Sequence, residues 1–505
     1  MTDKPAQNGA QDAAPEEAKP ARPVRSIPPP SYGPRRVTSL PEKPLQRRVY
    51  DVAVIGPDVG GAAAAALLAK RGLRVLIAPL SQPSVARESD GWLLPAAHPM
   101  IPPLRQLSAS IWALDELGLA ADLQRQSAGT ATGAFQLLGD ELRLSLPADA
   151  LRRKAELRRE LGEEAPMAEA ALEAVEQLGR PWDPFLSEPP PLPARGFFER
   201  RKLRKIIPHP PPEIPQGLIG DALHALAPFA ASLVGDTAPE ATAREAAALF
   251  RSPLRLWGGA AQLADLLRSR AETAGAHVTA DPCSRLRLSR KAATFELAGS
   301  EVQVNAVVLA CRPEMIRELC QGGDRTEQSV SEEANLTVER KEVLVHFVVR
   351  PEGLPQALEE AALLLGHPVG PLVISALSAR RARGELPGER LLTVARIVDA
   401  GFSDARSLMS SVREALEPVL PFFERHIVHE SADLDALHGE RILKPHEGLH
   451  SEPIGLRPLS GAHERVLFAS REVYPGFGLE GSLLAARACA AQALEISGRK
   501  QVSAT

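Results

Sequence analysis

Val54–Gly61, VIGPDVGG, places small residues where a strand turns into a helix. In a dinucleotide-binding turn the first glycine makes the tight bend. The second lets the diphosphate approach the backbone, and the third lets helix and strand pack closely. The unpaired N–H groups and positive dipole end of the helix then face the phosphates. Gly56 and Gly61 hold the first and third places, with Gly60 beside them, and Asp58 holds the second. A carboxylate there repels phosphate, but it can also cap the helix N–H groups itself.

Other reactive types are sparse. Cys283, Cys311, Cys320 and Cys489 form no CxxC pair, and the twelve histidines show no HExxH, so no metal site is expected. HIVHE (His426–Glu430) reads as a helix-to-strand junction rather than a metal site, and PHEGLH (Pro445–His450) as a plain loop before the last motif or the edge of a substrate tunnel. No GxSxG or Walker sequence occurs. Glu480, entering the last helix, is the one weak acid–base candidate; the plain alternative is a helix-start carboxylate.

The elements that position these residues follow from periodicity. YDVAVIG is a buried parallel strand, GGAAAAALLAKRG a helix stopped at Gly72, and LRVLIAP a second strand. Gly133–Pro147 alternates as a hairpin. From there to about Arg251 the chain is helical and broken by prolines. Leu256–Asp281 is a helix capped at Gly275 and then a strand, followed by a meander ending in AVVLA. KEVLVHFVVR and RLLTVARIV are strands, DARSLMSSVREALEPVLPFF a helix, RVLFAS a strand and SLLAARACAAQALEI the closing helix.

In that order, from about residue 48 to 497, the chain resembles FAD-dependent oxidoreductases of the phytoene desaturase-like group within the amine-oxidase-like flavoproteins. The likeness rests on YDVAVIGPDVGGAAAAALLAKRGLRVLIAP and on VAR with DGW (Val85–Arg87, Asp90–Trp92). It also rests on WGGAAQLADLLRSRAETAGAHV and on VLFASREVYPGFGLEGSLLAARACAAQAL. The resemblance implies an α/β fold. A glutathione-reductase-like FAD/NAD(P)-binding domain would be built from 48–132, 255–312 and 455–499. A substrate domain of β-sheet and helices would be inserted at 133–254 and 313–454. It implies FAD as cofactor, with Gly56, Gly60 and Gly61 at the diphosphate, Arg87 on the phosphates, and the strand at Cys283 against adenine. Gly476, Gly478, Gly481 and Ser482 would lie at the isoalloxazine. The substrate implied is a long apolar, isoprenoid-like molecule.

The departures from that pattern cluster at the cofactor. Asp58 replaces a glycine, Pro79 an acidic residue on the ribose, Val85–Ala86 a glycine pair, and Ser470–Arg471 the small residues beside the flavin. A carboxylate about 4 Å from a phosphate charge costs roughly 1–4 kcal/mol. A lost charge-assisted hydrogen bond costs about 1.5–3 kcal/mol. Together they weaken binding by roughly 10²–10⁵-fold. Two functions therefore stand side by side: an FAD-dependent oxidoreductase, and a pseudo-oxidoreductase serving as scaffold or hydrophobic-ligand binder.

Composition sets the remaining bounds. The 505 residues suffice for about two to four domains. A net charge of −4 and 4% aromatics argue against nucleic acid. Residues 1–47, rich in Pro, Ala and charge, read as a disordered tail. No run is apolar enough to span a membrane and no secretory signal is seen, so a cytoplasmic protein is expected. FFERRKLRKII (Phe197–Ile207) sets apolar residues beside five cations. It reads as a solvated basic face or as a peripheral contact with anionic lipid.

Overall fold

The computed structural model describes residues 50–56, 58–80, 84–127, 134–188, 197–206, 213–234, 240–251, 253–333, 336–384, 388–444, 463–474 and 476–498. The tail 1–47, Pro57, most of the two proline clusters, Ile207, Pro445–His450 and Pro475 lie outside them.

Five short strands form one parallel sheet in the order His277–Val278, Val75–Ala78, Val52–Ile55, Ala306–Leu309 and Val466–Phe468. Val52–Ile55 is buried on both faces, hence its unbroken apolar run. The glycine helix, Val59–Lys70, is buried from Val59 to Ala69. It is apolar all round because helices Gly259–Thr273 and Gly478–Ile496 pack on either side of it. Gly72, at φ +79°, ends it as expected.

The strand expected after Gly275 is short, His277–Val278. Cys283 does not belong to that sheet. It opens the antiparallel meander Cys283–Leu288, Ala293–Leu297 and Ser300–Val304.

Among the described residues the larger sheet has nine strands, and its axis is Thr337–Val349. Arg390–Asp399 pairs along one edge of that strand; Arg441–Lys444 and Ile427–Asp433 share the other. The hairpin Phe135–Leu138 and Arg143–Leu146 continues the sheet outward. Helix Ala405–Leu416 packs on this sheet through Leu408, Val412, Ala415 and Leu416. Among the described residues no helix is long and apolar enough to cross a membrane.

Candidate functional site

The turn at the end of Val52–Ile55 is built for close approach. Gly56 sits at φ +119°, where a side chain would be strained. A Cβ on Gly60 would come within 2.1 Å of the Ala469 carbonyl oxygen and 2.9 Å of that of Ser482. The glycine helix therefore abuts the C-terminal segment backbone to backbone.

Asp58 is the N-cap of this helix, in extended conformation. Its Oδ1 accepts from the Gly60 N–H at 3.3 Å. Its Oδ2 lies 3.3 Å from Nε of Arg471. Arg471 Nη1 donates to Glu440 Oε1 at 2.8 Å and to the His438 carbonyl at 2.7 Å. The Arg471 side chain is 4% exposed. Burial works against its charge, but Glu440, Asp58 and Glu472 outweigh that and hold it above its ordinary value. Its Nη2 has no partner among the described residues. Burial raises Glu440, whose other oxygen accepts from the Ser232 hydroxyl at 2.7 Å. Burial, with Arg471 nearby, lowers His438 to about 4, so its ring is neutral.

The start of the last helix is occupied in the same manner. Glu245 Oε1 accepts from the Glu480 N–H at 3.2 Å. A Cβ on Gly478 would stand 3.1 Å from the Glu245 carboxyl carbon. Burial, reinforced by Glu480, raises Glu245 well above the ordinary carboxyl range. The Gly476 N–H donates to the Ser232 carbonyl at 2.7 Å. Phe477 stacks edge-on against Trp182 with ring centres 5.2 Å apart. Ser482 is buried, with its hydroxyl 3.5 Å from the Gly478 carbonyl. The Gly476–Ser482 segment is thus packed against protein.

Three expected site residues turn elsewhere. Arg87 donates to Ser431 at 3.0 Å and approaches Asp433 at 4.0 Å, which fixes it to the large sheet and away from the turn. Cys283 spends its N–H on the Pro79 carbonyl at 3.0 Å, since its strand joins the meander. Glu480 is fully buried. It pairs with Arg244 at 2.8 Å and accepts from the Ala109 N–H at 2.9 Å, so it is a structural ion-pair partner and not an acid–base group facing a cleft. Arg244 also holds Asp183 at 2.8 Å. Sequence reasoning missed Arg244, Glu245 and Glu440, which carry no local motif. Among the described residues no group of His, Cys, Asp and Glu could hold a metal ion.

The cavity beside the turn, lined by Gly56, Pro79, Val85, Ala261 and His438 among others, measures about 40 Å³. That is water-sized, whereas sites for drug-sized ligands span roughly 300–1,000 Å³. A Cβ on Gly258 would stand 2.3 Å from Val85 Cγ1, so the valine in the expected glycine pair fills space there. Among the described residues, the side chains at the turn leave only this water-sized space where the diphosphate of FAD would lie.

This architecture is the mixed α/β fold of flavin-dependent oxidoreductases. Over 89% of this chain and 99% of the other, it superposes on cyclohexylamine oxidase from Brevibacterium oxydans IH-35A at 16% identity and a TM-score of 0.54. An oxidoreductase from Methanosarcina mazei matches at 12% identity and TM-score 0.55, covering 86% of this chain and 99% of the other. A redesigned putrescine oxidase matches at 17% identity and TM-score 0.50, covering 89% and 99%. No protein-family model and no curated protein matches the sequence.

Proposed function

We propose that this chain is a pseudo-oxidoreductase: a flavoprotein-fold scaffold whose dinucleotide site is filled by its own side chains. The carrying observation is the buried Asp58–Arg471–Glu440 chain across the glycine turn. An anion at a helix N-terminus is what a diphosphate supplies in a working site, and Asp58 supplies it here from within. Glu245 fills the corresponding place at the last helix with a carboxyl oxygen that accepts from the Glu480 N–H, without supplying a charge. Among the described residues, the space beside the turn is far smaller than FAD needs, and this supports the scaffold reading.

The competing reading is flavin-dependent oxidation, either of a long apolar molecule or of an amine. The fold supports it, through likeness to proteins such as cyclohexylamine oxidase. It requires Arg471 to withdraw and the cavity at the turn to open. The visible spectrum of the purified protein, followed by titration with FAD, separates the two. Stoichiometric flavin supports the enzyme, and a colourless protein that fails to take up FAD supports the scaffold.

A further inference from the structure

A larger cavity, about 320 Å³, opens where the parallel sheet meets the large one. Arg312 reaches it from just beyond strand Ala306–Leu309, and Arg317 from helix Pro313–Leu319. Lys341 and Arg441 reach it from neighbouring strands of the large sheet. Crevices at the carboxyl ends of parallel strands and between domains are common ligand sites, and the volume falls at the lower end of their range.

Lys341 and Arg441 are directly opposite in register, so two cations share one face of a strand pair. Like charges so placed are destabilising by themselves. A bulge between Val338 and Arg340 precedes them, a feature common beside binding sites. The compensation is thin. Arg441 is 5% exposed, yet its carboxylate partners stand at 3.4 Å (Glu314) and 3.9 Å (Glu472). The Lys341 side chain has no salt bridge within 4 Å or hydrogen bond among the described residues, and its charge acts on the outward Asp435. Arg312 binds Asp435 at 2.6 Å but leaves its buried Nε without a partner.

The acids of the cavity are spent or peripheral. Glu440 engages Arg471 and Ser232, and Glu342 Oε2 accepts from the Glu440 N–H at 2.8 Å. Glu314 and Asp435 lie outward, 41% and 75% exposed. The floor is therefore cationic, with Leu336, Val338 and Ala400 as an apolar wall.

We propose that this crevice binds a small polyvalent oxyanion, bearing carboxylate or phosphate groups, against Arg312, Arg317, Lys341 and Arg441. Guanidinium groups suit either acid through paired N–H donors. The site adjoins the glycine turn through Glu440, which Arg471 holds, but the four cations proposed to hold the oxyanion belong to other elements.

Isothermal titration of the full-length protein with citrate and with inorganic pyrophosphate, at ionic strength held constant with sodium chloride, tests this. One ion per chain is expected, with the tighter probe identifying carboxylate or phosphate chemistry. Lys341→Gln should weaken it about tenfold, the loss of one charge-assisted contact. Arg285→Gln, on an exposed strand of the meander, should leave it unchanged. Lys341 is partly exposed, so its replacement leaves the fold intact. Lys341→Glu, a charge reversal, should abolish binding. No heat with either probe, or equal affinity in wild type and both Lys341 variants, overturns the assignment.

Discussion

Arg471 and Asp58 form a buried ion pair across the glycine turn, Nε to Oδ2 at 3.3 Å, though 413 positions separate them in the chain. Each looks like an isolated departure from the flavoprotein pattern. Together they are one feature: a carboxylate in place of a glycine, and the cation that neutralises it. Breaking a buried pair from one side leaves an uncompensated charge, at about 3–5 kcal/mol. Arg471→Met should therefore destabilise the protein by roughly that amount in urea unfolding, since Asp58 and Glu440 lose their common partner. Adding Asp58→Asn and Glu440→Gln should recover part of the loss. Additive losses instead would mean that the three groups do not act as a unit.

The pair of Glu480 with Arg244 makes a parallel claim. Glu480→Ala removes the buried partner of Arg244, leaving it the half-exposed Asp183, and frees the Ala109 N–H, so it should cost about 1–3 kcal/mol in the same measurement. A variant as stable as wild type would restore Glu480 as an acid–base candidate, since a group kept for chemistry need not stabilise the fold.

Glu342 gives a pH dependence of definite sign. Burial raises its carboxyl from 4.5 to about 8, so the folded state holds a proton that the unfolded chain releases near 4.5. Between those values the native state binds more protons, and stability falls as pH rises through the window. Glu342→Gln removes the titration while keeping an oxygen for the Glu440 N–H. The variant should lose less stability than wild type between pH 5 and pH 8, by ~1 kcal/mol or more. Parallel pH profiles for the two proteins would contradict the burial.

Phe197 and Phe198 are 72% and 83% exposed at the start of helix Phe197–Ile206, whose sequence carries five cations, while Ile206 packs toward the core. If that helix docks on anionic lipid, co-sedimentation with phosphatidylserine vesicles should fall steeply with salt, because each basic residue near the surface contributes about 1 kcal/mol. Phe197→Ser with Phe198→Ser should weaken it further. Equal binding to neutral vesicles, or none, leaves a solvated helix.

Much of this was legible locally. Asp58 as a helix cap follows from a strand–turn–helix pattern, and the Ala-rich helix, the hairpin and the closing strand and helix follow from periodicity. What escaped was long-range pairing. Arg471 was visible as a departure, but nothing near it in sequence names Asp58 or Glu440 as its partners. Glu480 looked free because Arg244, 236 positions away, carries no motif. The strand after Gly275 is only His277–Val278, which leaves almost no periodic signal, and Cys283 lies on the next strand, the first of the meander. Arg87 lies on strand Ala86–Ser89, and the tertiary packing turns it toward Ser431.

The most direct measurement is FAD titration, followed by flavin fluorescence quenching, of wild type and of Asp58→Gly with Arg471→Ala. Removing both charges opens space at the turn and clears the helix N-terminus for a diphosphate. A wild-type protein that is colourless as purified and takes up no FAD, beside a double variant that binds it measurably, is the predicted result. A wild type that carries stoichiometric FAD, or binds it as tightly as the double variant, would contradict a self-filled dinucleotide site.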